Sequence, residues 1–188
     1  ALTRYGANVE FLLCDKVLPA CAMATSAEME EGAFSKNGPK SFCESCLHSG
    51  KFALDEIDLF INYYSDYIST EEKVEISDFA EDVSYEDMKN YETEGIKIGE
   101  HAVAGALRYY SVGNIDKEKT REKILKRYFV AALIVKKICL NIFNSKKFDI
   151  IVLHHGIYVP QGIILQVAKK YNIKVVTYTV AYKKKAFI

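Results

Sequence analysis

The alternation of apolar and polar positions divides the chain into two kinds of segment. Toward its two ends lie short, largely apolar runs of strand length: Val9-Glu10-Phe11-Leu12-Leu13, Phe148-Asp149-Ile150-Ile151-Val152-Leu153 and Lys174-Val175-Val176-Thr177-Tyr178-Thr179-Val180. Runs of this kind suit parallel strands covered on both faces. Between the last two, Pro160 to Tyr171 carries a helical pattern, with Pro160 in its first turn and Asn172 as a left-handed cap. Strand, helix and strand there form a βαβ unit, expected to be right-handed.

The section between Leu13 and Phe148 is expected to be helical. Ser69-Thr70-Glu71-Glu72 and Ser84-Tyr85-Glu86-Asp87 have the hydroxyl-then-carboxylate spacing of helix starts. Ile98 to Tyr110 suits a helix whose small residues (Gly99, Ala102, Ala104, Gly105, Ala106) permit close packing. Asp116 is read as the cap of a long helix in which Ile124, Leu125, Tyr128, Ala132, Val135, Ile138, Cys139 and Ile142 keep the helical period. The acidic stretch from Glu71 to Glu94 reads as a solvated, partly mobile face. The fold expected is α/β, a Rossmann-like parallel sheet with a large helical insertion, forming one domain over residues 1–188. Ala1 to Gly6 resembles the last turn of a helix capped by Gly6, and Phe187-Ile188 closely follows a strand. Both ends therefore read as cut, with a first strand missing upstream and a further domain downstream.

Composition narrows the function classes. With 25 Lys+Arg against 25 Asp+Glu the formal charge is zero, which argues against a general nucleic-acid binder. The longest apolar run, around Phe129 to Val135, is too short to span a membrane and belongs to a helix. Neither a P-loop nor a G-x-G-x-x-G motif is present, and no G-x-S-x-G elbow supports a serine hydrolase.

Cysteine spacing adds a chemical candidate. Cys14 and Cys21 form a C-x6-C pair at the end of the first strand; Cys43 and Cys46 form a C-x2-C pair. Ser41-Phe42-Cys43-Glu44 fits a capping box, which would place both later cysteines on one face of a helix's first turn. Four thiolates suit a closed tetrahedral site, with zinc the first choice, an iron–sulfur cluster the alternative and His48 a substitute ligand. Free thiols are the plain reading; disulfides fit less well, since no signal-peptide pattern is visible. Cys139 reads as a small core residue.

Several segments together resemble one family. Phe11-Leu12-Leu13-Cys14-Asp15 with Leu18-Pro19-Ala20-Cys21, the later Cys43-x2-Cys46, and Gly99-Glu100 followed by Arg108-Tyr109-Tyr110 are similar to the N-terminal half of capsule or surface-polysaccharide glycosyltransferases of the GT-B type. Val152-Leu153-His154-His155-Gly156, the following helix and Val175-Val176-Thr177-Tyr178 look like that half's last βαβ unit. Ala181-Tyr182-Lys183 resembles the start of the tyrosine–lysine stretch that follows it. The resemblance implies a cytoplasmic, acceptor-side domain, admitting peripheral association with the inner face of the membrane. Its reaction would move a sugar from a nucleotide-sugar to a glycan or lipid-linked acceptor. The donor site would lie mainly in the C-terminal domain, so the fragment alone would be inactive.

On that footing His154 and His155, at a strand's carboxyl end, are candidates for the general base that accepts the acceptor hydroxyl's proton. Their plain reading is one ring packed on the sheet and one bonded to loop carbonyls. Gly156 supplies a tight turn beside the acceptor in either case. Asp15 is a second candidate base, or a turn cap. Glu100 and Arg108, two helical turns apart, would line the acceptor cleft or stand as ordinary surface charges. Lys183-Lys184-Lys185 reads as a solvated turn, with an anionic lipid surface or a phosphate as its functional alternative. Two other functions are compatible with the sequence: a non-enzymatic metal-binding or redox-sensing interaction module, and half of a nucleotide-sugar epimerase.

Overall fold

The structure is a computed structural model and describes residues 2–55, 57, 59–116 and 118–180. It is mixed α/β, with two small parallel sheets beside a helical body. Strand β1 (Glu10–Leu13) pairs in parallel with β2 (Phe60–Tyr63), Glu10 opposite Phe60. Strand β3 (Ile150–His154) pairs in parallel with β4 (Lys174–Tyr178), Ile150 opposite Lys174. The helices are α1 (Glu31–Asn37), α2 (Lys40–Asp55), α3 (Thr70–Asp82), α4 (Tyr85–Asn90), α5 (Ile98–Tyr110), α6 (Lys119–Ser145) and α7 (Gln161–Lys170).

Helix α6 is the axis of the core. The apolar positions that keep its helical period, from Ile124 to Ile142, are all buried, Cys139 among them. By length and composition α6 could cross a membrane, yet most of its apolar stretch is enclosed by the rest of the protein, as in a core helix. Helix α5 packs along it at close range. Gly105 allows this: a Cβ there would stand 2.4 Å from the ring of the fully buried Tyr128. Helix α3 begins with both bonds of a capping box, Ser69 Oγ accepting from the Glu72 amide and Glu72 from the Ser69 amide. Ser84 caps α4 in the same sense.

Three local expectations are corrected. Helix α2 starts at Lys40, one residue before Ser41, because Pro39 supplies its first turn and its carbonyl accepts from the Phe42 and Cys43 amides. The proposed Ser41–Glu44 box is therefore absent, and Glu44 reaches Lys16 instead, at 2.7 Å. Asp116 does not cap α6, which begins at Lys119; it pairs with Arg121 at 3.5 Å. The section between the first and second expected strands is not wholly helical, since β2 lies within it. The acidic stretch also has a structural use: Glu72, Glu81 and Glu94 pair with Lys137, Lys126 and Lys136 of α6 at 3.0, 2.9 and 2.9 Å.

A polar network ties the first sheet to the end of α6. Asn62 is 2% exposed, and all the bonding capacity of its amide is used. Its Nδ2 donates to Glu10 Oε2 (2.9 Å) and to the Phe11 carbonyl (3.2 Å), while Oδ1 accepts from Tyr67 (2.6 Å) and Lys146 (2.7 Å). Lys146 also donates to Glu10 at 2.8 Å. Lys146, then Asn62, hold the Glu10 carboxyl below its ordinary pKa. The folded state thus binds this proton less tightly than the unfolded chain does. Its stabilisation is complete above the unfolded value of about 4.3 and is lost as pH falls through the lower, folded one. Thermal melts of Glu10→Gln should show a shallower loss of stability below about pH 4 than the parent; parallel acid limbs would contradict this.

Candidate functional site

The carboxyl end of β3 turns sharply. His155 and Gly156 both have left-handed backbones, at φ 39° and 71°, and the Gly156 amide donates back to the His154 carbonyl at 2.5 Å. A Cβ on Gly156 would stand 2.5 Å from a methyl of Leu165, so another residue there would have to displace that side chain as well as hold a left-handed backbone. It brings the two histidine rings to 4.2 Å between centroids. A rank of rings continues on either side. Tyr178 lies 5.4 Å from His154, and Tyr158 meets His155 edge-on at 4.9 Å. Beyond Tyr158 stands Arg108, its guanidinium 5.1 Å above that ring.

Arg108 and Tyr158 border a shallow, largely open surface depression of about 380 Å³, also lined by Ala104, Leu107, Ser111 and Val112. The histidines lie behind Tyr158 and do not line the cleft themselves. Arg108 Nε donates to the Ala22 carbonyl at 2.7 Å, which fixes the side chain and leaves its two terminal nitrogens for other partners. No carboxylate pairs with it among the described residues. Burial, then the neighbouring His154 and Arg108, lower the pKa of His155, so its ring is neutral at pH 7.

Hydrogen bonding distinguishes the two imidazoles. His155 Nδ1 accepts from the Ile157 amide at 3.2 Å, so the proton of its neutral ring resides on Nε2. That ring presents a donor. The His154 ring contacts His155 and Tyr178 and makes no hydrogen bond to the described residues.

A third histidine, not foreseen from the sequence, holds the turn in place. His101 is buried in α5; its Nδ1 donates to the Ile157 carbonyl at 2.5 Å, and its Nε2 faces the Gln166 amide at 2.5 Å. Gln166 Oε1 in turn accepts from the Lys97 amide at 2.8 Å, which orients that side chain as a donor to the ring. The loop after β3 is thereby pinned to α5.

The remaining candidates sit elsewhere. Asp15 accepts from the amide of Ser65 at 3.1 Å and from its hydroxyl, which makes it a cap for the turn Tyr64–Tyr67. Glu100 pairs with Lys97 at 3.1 Å at the opposite end of α5, about 12 Å along the axis from Arg108. His48 is exposed on α2, and the Lys183–Lys185 run lies outside the described residues. Cys14, Cys21 and Cys43 are partly buried and Cys46 is exposed; all four are free thiols. Among the described residues no three His, Cys, Asp or Glu side chains are placed as they stand to hold a metal ion.

No family model, curated protein or solved structure matches the chain.

Proposed function

We propose that the chain is the acceptor-side domain of a GT-B type glycosyltransferase in surface-polysaccharide synthesis. It would move a sugar from a nucleotide-sugar to a glycan or lipid-linked acceptor. On this reading the two parallel pairs are parts of one Rossmann-like sheet. The apolar, exposed Ile150, Val152 and Val176 support it, since parallel sheets are ordinarily covered on both faces. The observation that carries the proposal is the two-histidine turn at the carboxyl end of β3, one ring neutral by its surroundings, abutting an open depression that presents Arg108, which has no carboxylate partner among the described residues. Ligands of open α/β sheets bind at such strand ends.

The chemistry assigns different work to each group. His154 takes the proton of the acceptor hydroxyl as its oxygen attacks the anomeric carbon of the donor. The bond from that carbon to the phosphate oxygen breaks, and its electron pair leaves with the nucleoside diphosphate. His155, through Nε2–H, and Arg108 donate to acceptor oxygens and hold the hydroxyl in line. Gly156 and the His101–Ile157 bond keep the turn in this conformation, while Asp15 and Glu100 act at a distance as positioning and surface groups.

The test uses the full-length protein, nucleotide-sugar donors and extracted lipid-linked glycans, with transfer followed by mass spectrometry. Arg108→Ala is expected to raise the acceptor KM roughly 10- to 100-fold, the loss of one charge-assisted hydrogen bond, with a smaller change in kcat. Absence of transfer with every donor, or an unchanged KM in the variant, contradicts the proposal.

A further inference from the structure

Three contacts clamp the loop after β1 against the start of α2. Lys16 pairs with Glu44 at 2.7 Å. Gly38 lies so close to Pro19 that a Cβ there would be 2.9 Å from the proline carbonyl oxygen. Gly50 abuts Leu13, whose methyl would be 3.1 Å from a Cβ. Cys14 follows Leu13, and Cys21 lies two residues past Pro19. Cys43 and Cys46 fall between Gly38 and Gly50, with Cys43 beside Glu44. The same clamp therefore brings together the two segments that carry the four cysteines, though as they stand no three of these side chains are placed to hold an ion among the described residues. They are near enough to act on one another electrostatically, Cys21 on Cys14 and Cys46, and Cys43 on the other three.

We propose that Cys14, Cys21, Cys43 and Cys46 form a zinc site that anchors the loop holding Arg108 and the turn after β3. Closing on an ion requires the thiols to change rotamer. Zinc displaces four S–H protons and leaves a closed tetrahedral shell, a structural site with no open position for chemistry. Lys16, within electrostatic reach of Cys43, and the first turns of α2 offset its negative charge.

The link to the cleft runs through Ala22, the residue after Cys21. Its amide donates to the Val159 carbonyl at 2.9 Å, and its carbonyl accepts from Arg108 at 2.7 Å. Tyr128 donates to the Cys21 carbonyl at 3.2 Å and ties the same loop to α6. Fixing Cys21 thus fixes both Arg108 and the loop ahead of α7. This inference is independent of the proposed reaction: zinc and glycosyl transfer fail or succeed in separate assays.

Metal analysis of protein purified under reducing conditions should find about one zinc per chain. The Cys43→Ser/Cys46→Ser pair should lose it, and Cys139→Ser, whose thiol lies apart in the core, should retain it. Cobalt(II) exchanged into the parent should give the intense thiolate-to-metal absorption of a tetrahedral sulfur site. Removing zinc with a chelator should speed hydrogen exchange in the segments 20–24 and 156–160. A metal-free parent, zinc retained by the double variant, iron with acid-labile sulfide, or a disulfide among these cysteines overturns the zinc site. Unchanged exchange after chelation overturns its coupling to the cleft.

Discussion

Phe34→Ala is expected to destabilise the fold by about 3–5 kcal/mol, the cost of emptying a large aromatic site in a well-packed core. Phe34 is 1% exposed; its ring stacks on Tyr109 at 4.7 Å and tilts against Tyr128 at 6.2 Å. The surrounding groups cannot readily collapse into the space. Tyr109 is held by its bond to the Met29 carbonyl at 2.8 Å, and Arg127 clasps the end of α1 through the Ser35 and Lys36 carbonyls at 3.1 and 2.6 Å. Urea unfolding followed by far-UV circular dichroism checks this, read at constant m-value. A loss below about 1 kcal/mol would mean that α1 is not seated on α5 and α6 as described.

Helix α1 shows where the sequence is hard to read. It has seven residues, a glycine in its first turn and no Ser, Thr, Asp or Asn cap; the Glu30 side chain takes that role, accepting from the Gly32 and Ala33 amides. One buried aromatic sets no period, so nothing marks the segment locally. Strand β2 is hidden for a related reason. Its four residues alternate too briefly to be told from a helix, and its place is set by pairing with β1 some fifty positions earlier. By contrast, α5 and α6 are long enough for periodicity to identify them, and Ser69 and Ser84 cap α3 and α4 by contacts within three residues. Asp116 lies two residues before the N-cap position, which Glu118 occupies, and pairs with Arg121.

The candidate site divides along the same line. His154, His155 and Gly156 are adjacent in sequence and sit at a recognisable strand end, so the turn could be found without coordinates. Tyr158, two residues past the glycine, was as close at hand and carried no motif. Arg108 was singled out, but its neighbours Ala22 and Tyr158 lie 86 and 50 positions away, and its relation to the histidines exists only in the fold. His101 and Gln166 meet across 65 positions. Asp15 and Glu100 have ordinary local partners in Ser65 and Lys97, which a sequence does not rank above functional ones.

His154→Ala in the full-length protein is expected to lower kcat by about 10²- to 10⁴-fold, the usual contribution of a positioned general base. His155→Ala should act differently. Its Nδ1 is engaged by the Ile157 amide and its free nitrogen carries a proton, so it can donate to the acceptor but cannot take up the proton at that atom. The expected result is a raised acceptor KM with kcat falling less than in His154→Ala. His155→Gln gives the sharper comparison, because an amide can still donate and should recover part of the lost binding, while His154→Gln should recover no turnover. The ring contact of 4.2 Å makes mutual disturbance possible, so each variant needs a circular dichroism spectrum and a melting curve alongside its kinetics. Equal kcat losses at the two positions would remove the division of roles, and unchanged rates at both would remove the histidine pair from the reaction. Full activity without either ring would leave the Arg108 cleft a binding surface alone, with its chemistry supplied by another part of the protein.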